Sequence, residues 1–228
     1  MSHELAKGLE RVLAPILGET EVTDLQRLTG GASRTTWSFS TNSANAPALI
    51  LRTGPPDDVH ASMELEAAVQ QRAAAAGAPV PRILAADNAV AALGTPYLIC
   101  AAVAGETIVR RIYRALDDES RARLLRQCAE ALAAVHRADF ENIGLSSVDE
   151  LTDWRRRLDE MGDTTATFEW TFRQLEKSRP APTPMRLVHG DFRMGNLIVD
   201  ESGLAAVLDW ELTHVGEVYE DLAWFCVR

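Results

Sequence analysis

Apolar positions recur at helical spacing across residues 4–17, where Leu5, Leu9, Val12, Leu13 and Ile16 fall on one face. They predict an amphipathic helix that Pro15 kinks or stops near its end. Residues 28–41 alternate, with Trp37 and Phe39 on one side of a pair of segments joined at Gly30 and Gly31, and read as strand, tight turn, strand. A further strand is predicted at 48–52, ended by Gly54, Pro55 and Pro56, then an Ala-rich helix at 62–76 ended by Gly77, Pro79 and Pro81. Short apolar runs at 83–86 and 97–103 predict two more strands. From there the period changes to that of helices: 119–138 carries Leu124, Leu125, Cys128, Leu132 and Val135 on one stripe. Residues 149–177 predict two helices interrupted around 162–165, with Trp154, Leu158, Phe168 and Phe172 expected in the core. A proline-rich linker at 179–184 feeds a hairpin built from the apolar runs 187–188, 197–199 and 204–208. Strands and one helix first, helices and a hairpin afterwards, give an α+β chain in two lobes, with the boundary placed near Ala104: residues 1–103 and 104–228.

The hairpin carries the chemistry. Asp191 follows the first apolar run, Asn196 stands five residues on at the mouth of the second, and Asp209 ends the third. Two carboxylates and an amide oxygen are hard donors of the kind Mg²⁺ accepts beside phosphate oxygens. Asp, four residues, Asn is also the spacing of the catalytic loop in phosphoryl transfer of the protein-kinase type, where the Asp orients or takes the nucleophile's proton and the Asn holds metal. Asp and Asn also populate ordinary turns, bonding their own backbone. Gly30 and Gly31 allow close backbone approach to a phosphate and Ser33 adds a hydroxyl, although a glycine pair also serves as a plain turn. Arg193 stands inside the loop, His189 is expected to pack beneath it, and Asp221 is expected to be a helix N-cap that also braces it. His136, closing the 119–138 helix, is read as a structural residue at a helix C-terminus.

HGDFRMGN at 189–196, followed by VLDWE at 207–211, resembles the aminoglycoside phosphotransferase family. That family has a two-lobed protein-kinase-like fold, and the wording of GGASRTTW and DFRMGN is most similar to its branch found with acyl-CoA dehydrogenases. The resemblance implies an N-lobe antiparallel sheet with a helix and a mostly helical C-lobe. It implies an ATP- or GTP-dependent, Mg²⁺-requiring transfer of the γ-phosphoryl group to a hydroxyl of a small molecule. Asp191 would be the base, with Asn196 beside it in the catalytic loop, and Asn196 and Asp209 would hold the metal. Gly30, Gly31 and Ser33 become the nucleotide-covering loop. The family's phosphate-binding Lys is here Arg52, which keeps the charge but presents a planar fork. Glu66 falls where its ion-pairing Glu would be, with Glu64 as the competitor on another face. Cys100 to Val103 would carry the backbone groups that bond adenine. Relatives usually continue with several more helices, which implies either a truncated product or an apolar face at Trp224 and Phe225 covered by a partner such as a second copy.

Composition narrows this picture. With 46% hydrophobic and 25% charged residues the chain reads as an ordinary soluble protein, and no run of about 18 apolar residues predicts a membrane span. The start is too charged for a secretory signal, and three scattered cysteines, Cys100, Cys128 and Cys226, read as reduced core or interface filler; the expected location is the cytoplasm. A net charge of -10 argues against a nucleic-acid partner. Two competing readings remain. Arg52 and the implied missing helices suit a nucleotide-binding pseudoenzyme or regulatory module, whereas a Ser-His-Asp hydrolase lacks any GxSxG elbow.

Overall fold

The computed structural model describes residues 2–28, 34–55 and 62–226. Its first half is a five-stranded antiparallel sheet between two helices. The helices are α1 (Ser2–Leu17) and α2 (Met63–Ala75), and the strands are β1 (Val22–Arg27), β2 (Thr35–Thr41), β3 (Ala48–Thr53), β4 (Ile83–Asp87) and β5 (Tyr97–Ala101), in the order β1-β2-β3-β5-β4. Period-two alternation splits the sheet's side chains. Leu49, Leu51, Tyr97 and Ile99 pack with Leu9 and Leu13 of α1, while Leu98 and Cys100 pack with Met63 and Ala67 of α2. Arg52, opposite Leu98 in the β3–β5 register, therefore points to the α2 side. α2 starts at the N-cap Ser62, whose hydroxyl accepts from Leu65 N–H, and buries Met63, Glu66, Ala67, Gln70 and Ala73 as one stripe. That stripe selects Glu66; Glu64 is exposed and bonds Asn88.

The second half is α3 (Val109–Ala115), α4 (Asp118–Arg137), α5 (Glu150–Met161), α6 (Ala166–Ser178), β6 (Arg186–Val188), β7 (Leu197–Asp200), β8 (Gly203–Val207), β9 (His214–Gly216) and α7 (Tyr219–Cys226). β7 and β8 form a hairpin and β6 pairs with β9, both antiparallel. The stripe of α4, Leu124, Cys128, Ala131, Leu132 and Val135, packs on Leu187, Phe192, Leu197, Val207 and Trp210, and Val69 and Ala73 of α2 join the same core. Glu106 and Val199 exchange backbone hydrogen bonds, and Val207 N–H bonds Pro79 O, so the hairpin is tied to the segments leaving β5 and α2.

Several expectations need correction. The first strand lies at Val22–Arg27, ahead of the expected position: its half-buried positions, Val22 and Leu25, fall three apart because the register shifts between Thr23 and Gln26, so the sequence shows no period of two. The aromatic stripe of 149–177 is not core: α5 and α6 bury no residue, and Trp154, Phe168 and Trp170 are each more than half exposed. Cys100 and Cys128 are buried, but Cys226 is exposed. Asp221 is not an N-cap; it lies within the first turn of α7.

Candidate active site

Antiparallel pairing of β7 with β8 sets Leu197 opposite Val207, and one step further out Leu208 N–H bonds Asn196 O at 2.8 Å. Asn196 and Asp209 consequently emerge side by side at the open end of the hairpin. Asp209 sits at φ 65°, in the left-handed region that Asp tolerates better than most residues. The chain enters this end through residues 189–193, where Gly190 adopts φ 84°; a Cβ there would stand 2.5 Å from Leu212 O, so only glycine fits beneath that carbonyl.

Within the loop, Asn196 Nδ2 donates to Asp191 Oδ2 at 2.7 Å and to Asp191 O at 3.0 Å. Both amide protons are thereby used on Asp191, and Asn196 Oδ1 has no hydrogen-bond partner among the described residues. Arg193 Nε donates to Asp191 Oδ1 at 2.8 Å, which places Arg193 on the carboxylate. Each Asp191 oxygen retains a second lone pair.

The loop is held from below by Asp221, fully buried. Its Oδ2 accepts from His189 N–H at 2.9 Å and meets His136 Nε2 at 2.8 Å, and its Oδ1 accepts from Gly190 N–H at 2.9 Å. His189 is likewise fully buried, against Trp210 at 4.7 Å and Phe192 at 5.9 Å. Its Nδ1 faces Asp191 N–H and its Nε2 faces Leu208 O, which requires the neutral Nε2–H tautomer. Burial, above all, holds its pKa below the ordinary histidine value. His189 thus clips the Asp191 loop to the strand that delivers Asp209.

Across the cleft, Arg52 joins the two halves of the molecule. One guanidinium nitrogen bonds Glu66 Oε1 and another lies 3.0 Å from Asp209 Oδ1. Glu66 has a second arginine: Arg34 Nη2 stands 3.5 Å from Oε2, while Arg34 Nε donates to Glu211 Oε2 at 3.3 Å. Burial pushes the Glu66 carboxyl above the usual range, opposed by the two guanidiniums. Arg52 is raised despite burial, by Glu66 first and Asp209 next. Arg34 was missed by sequence reasoning, as were the hydrogen-bond roles of His136. Each acts on a partner far along the chain, 177 residues for Arg34 and Glu211 and 85 for His136 and Asp221, beyond the reach of periodicity.

Gly30, Gly31 and Ser33 lie outside the described residues. Cys100 is buried near the end of β5 on the Arg52 face, its thiol pushed up to about 11, by burial first. Val103 is half-buried in the segment joining β5 to α3. The uncommitted Asn196 Oδ1, together with Asp209 Oδ2, which has no partner among the described residues, makes a donor set that fits a hard divalent cation such as Mg²⁺. A groove of about 1400 Å³ elsewhere, between α1 and the outer strands, contains none of these groups.

An N-lobe sheet with α2 and a mostly helical C-lobe carrying a β-hairpin constitute a protein-kinase-like fold. The chain belongs to the phosphotransferase enzyme family, whose model matches residues 24–228. Among solved structures, it resembles a candidate aminoglycoside phosphotransferase of Ralstonia eutropha, with TM-score 0.77 at 20% identity over 96% of this chain and 68% of that one. The aminoglycoside phosphotransferase APH(2")-IIa, solved with streptomycin and ATP, gives TM-score 0.66 at 17% identity over 95% and 73%. At such identities the likeness is one of fold. Among curated proteins, acyl-CoA dehydrogenase family member 10 of Mus musculus is 27% identical over 96% of this chain, and member 11 of Gallus gallus is 30% identical over 68%. The chain spans 22% of the length of each. No helix among the described residues is long and apolar enough to cross a membrane.

Proposed function

We propose that the chain transfers the γ-phosphoryl group of ATP or GTP to a hydroxyl of a small molecule. The observation that carries this reading is the use of Asn196: its amide protons fix Asp191, and its oxygen is left for a metal beside Asp209. Asp191 orients the acceptor hydroxyl and takes its proton as the new O–P bond forms and the bond to the β-phosphate oxygen breaks. Asn196 Oδ1 and Asp209 would hold Mg²⁺, which when bound neutralises charge between the β- and γ-phosphates. Arg52, already fixed by Glu66, presents a cation on the nucleotide side of Asp209. Gly30, Gly31 and Ser33 would cover the phosphates, and backbone groups between Cys100 and Val103 would meet the base. For the acceptor, the curated relatives favour a metabolic hydroxyl compound, such as a hydroxyacyl thioester, over an antibiotic.

The first test is a thermal shift with Mg²⁺ and ATP or GTP. Nucleotide at one hundred times its dissociation constant should add about 2.7 kcal/mol to the folded state of the wild-type chain and not to Asp209→Ala. ADP release is then screened against hydroxyl acceptors, with Asp191→Asn as the inactive control. A wild-type chain that gains nothing from metal and nucleotide together sinks the reading. A second reading, a nucleotide-binding module without turnover, is favoured by the Arg52 contact to Asp209 Oδ1, which takes up one of the two oxygens of that carboxylate. It predicts a nucleotide shift with no ADP released on any acceptor.

A further inference from the structure

Beyond the cleft, β9 and α7 bring His214 and Glu220 against Glu150, in the first turn of α5. One ligating atom from each lies within 4.8 Å of the others, and among the described residues this is the one group of three His, Cys, Asp or Glu side chains so placed. His214 is 6% exposed. Its Nδ1 lies 3.0 Å from Leu212 O, which fixes the proton of the neutral ring on Nδ1 and turns the Nε2 lone pair toward the two carboxylates. Nε2 is buried and makes no hydrogen bond among the described residues; Glu220 Oε2 stands 3.1 Å away, at ion-pair distance. Gly216 leaves the space beside that nitrogen unfilled: a Cβ there would come within 2.8 Å of it.

The backbone holds the three residues in place. β9 pairs with β6, and the segment before α5 pairs with β9 through Val148 N–H to Val215 O and Val215 N–H to Ser146 O, both 2.9 Å. We propose that Glu150, His214 and Glu220 bind one divalent transition-metal cation, zinc foremost, at a site separate from Asn196 and Asp209. One imidazole nitrogen and two carboxylate oxygens form a donor set that zinc accepts, leaving a position for water. Ligands at zinc distances stand about 3.4 Å apart, so the side chains need to close by roughly 1 Å.

Glu150 is raised above its usual range, by burial first and the Glu220 carboxylate next, with Asp153 adding to it. His214 is also raised: burial opposes its charging, but Glu220, the Leu212 carbonyl and Glu150 outweigh it. Asp153 itself is held by Arg156 and Arg157.

The site would tie the start of α5 to α7, the helix that carries Asp221. The test uses the whole chain, stripped with chelator and titrated with Zn²⁺ or Co²⁺ in excess Mg²⁺, read by competition with a chromophoric chelator and by the visible spectrum of Co²⁺. One equivalent should bind and raise the melting temperature. Glu150→Gln and Glu220→Gln, which keep side-chain size and whose folding is checked by their own melting curves, should each weaken binding at least tenfold. Cys226→Ser and Asp209→Ala should bind as wild type does. No zinc binding, binding unchanged in both Gln variants, or binding lost with Cys226→Ser or Asp209→Ala overturns the proposal.

Discussion

Asp221→Asn tests how the loop that carries Asp191 is held. The wild-type carboxylate is fully buried and receives three bonds, from His189 N–H, Gly190 N–H and His136 Nε2. An Asn amide retains one oxygen, so one backbone N–H keeps an acceptor, now uncharged, at a cost of about 1 kcal/mol. The other N–H faces an NH₂ donor and is left buried without a partner, which costs about 1–3 kcal/mol. His136 can turn an acceptor nitrogen to the new NH₂ and so loses little. The sum is a loss of about 2–4 kcal/mol out of the roughly 5–15 typical of a folded protein. Urea unfolding gives the difference directly, provided the m-value is unchanged. Amide exchange of His189 and Gly190 should accelerate more than that of β3, because the damage starts at the loop. A loss below about 1 kcal/mol with the loop amides still protected would refute the reasoning.

Asp191→Asn should leave nucleotide-induced stabilisation intact while reducing turnover by about 10²–10⁴, the usual contribution of a positioned base; unchanged turnover would remove Asp191 from that role. Gly190→Ala adds a strained positive φ to a clash with Leu212 O, so stability should fall by more than about 2 kcal/mol in denaturant melts. Glu66→Gln leaves the Arg34 and Arg52 guanidiniums, 4% and 17% exposed, without their shared anion; a loss of about 3–5 kcal/mol is expected in the same assay. For His189, whose folded pKa is lowered, the unfolded chain takes up a proton near pH 6.5 that the folded chain refuses. Its contribution is complete above about pH 6.5 and is lost below it, at up to about 1.4 kcal/mol per pH unit. His214, with a raised pKa, has the opposite sign: its contribution is present below about pH 6.5 and lost as pH rises through the raised value. Imidazole NMR titration separates the two, and a His189 ring that titrates at or above 6.5 contradicts the buried neutral tautomer.

The sequence carried the fold class and the parts of the site whose logic is local. Asp191 and Asn196 are five residues apart on one loop, and Asp209 follows from hairpin register, so spacing alone brought them together. Glu66 could be preferred to Glu64 once the buried stripe of α2 was drawn. The parts that escaped depend on distant partners. Asp221 has the composition of an N-cap, and its position inside α7 shows only when the loop it braces is present. The aromatic positions of α5 and α6 reveal that one face is apolar and nothing about what that face meets; here Trp170 is 64% exposed.

The α5–α6 pair has a consequence for how the molecule opens. Neither helix buries a residue, each is capped by a single side chain, Asp149 or Thr165, and their main packing partner is each other. Arg–carboxylate pairs such as Arg155 with Glu169 add links between the two, and exposed pairs of that kind contribute little. A unit held this way unfolds with a free energy well below that of the core. It is the segment where a protease would make its first cut, with the sheet, the hairpin and the loop over Asp221 still folded behind it.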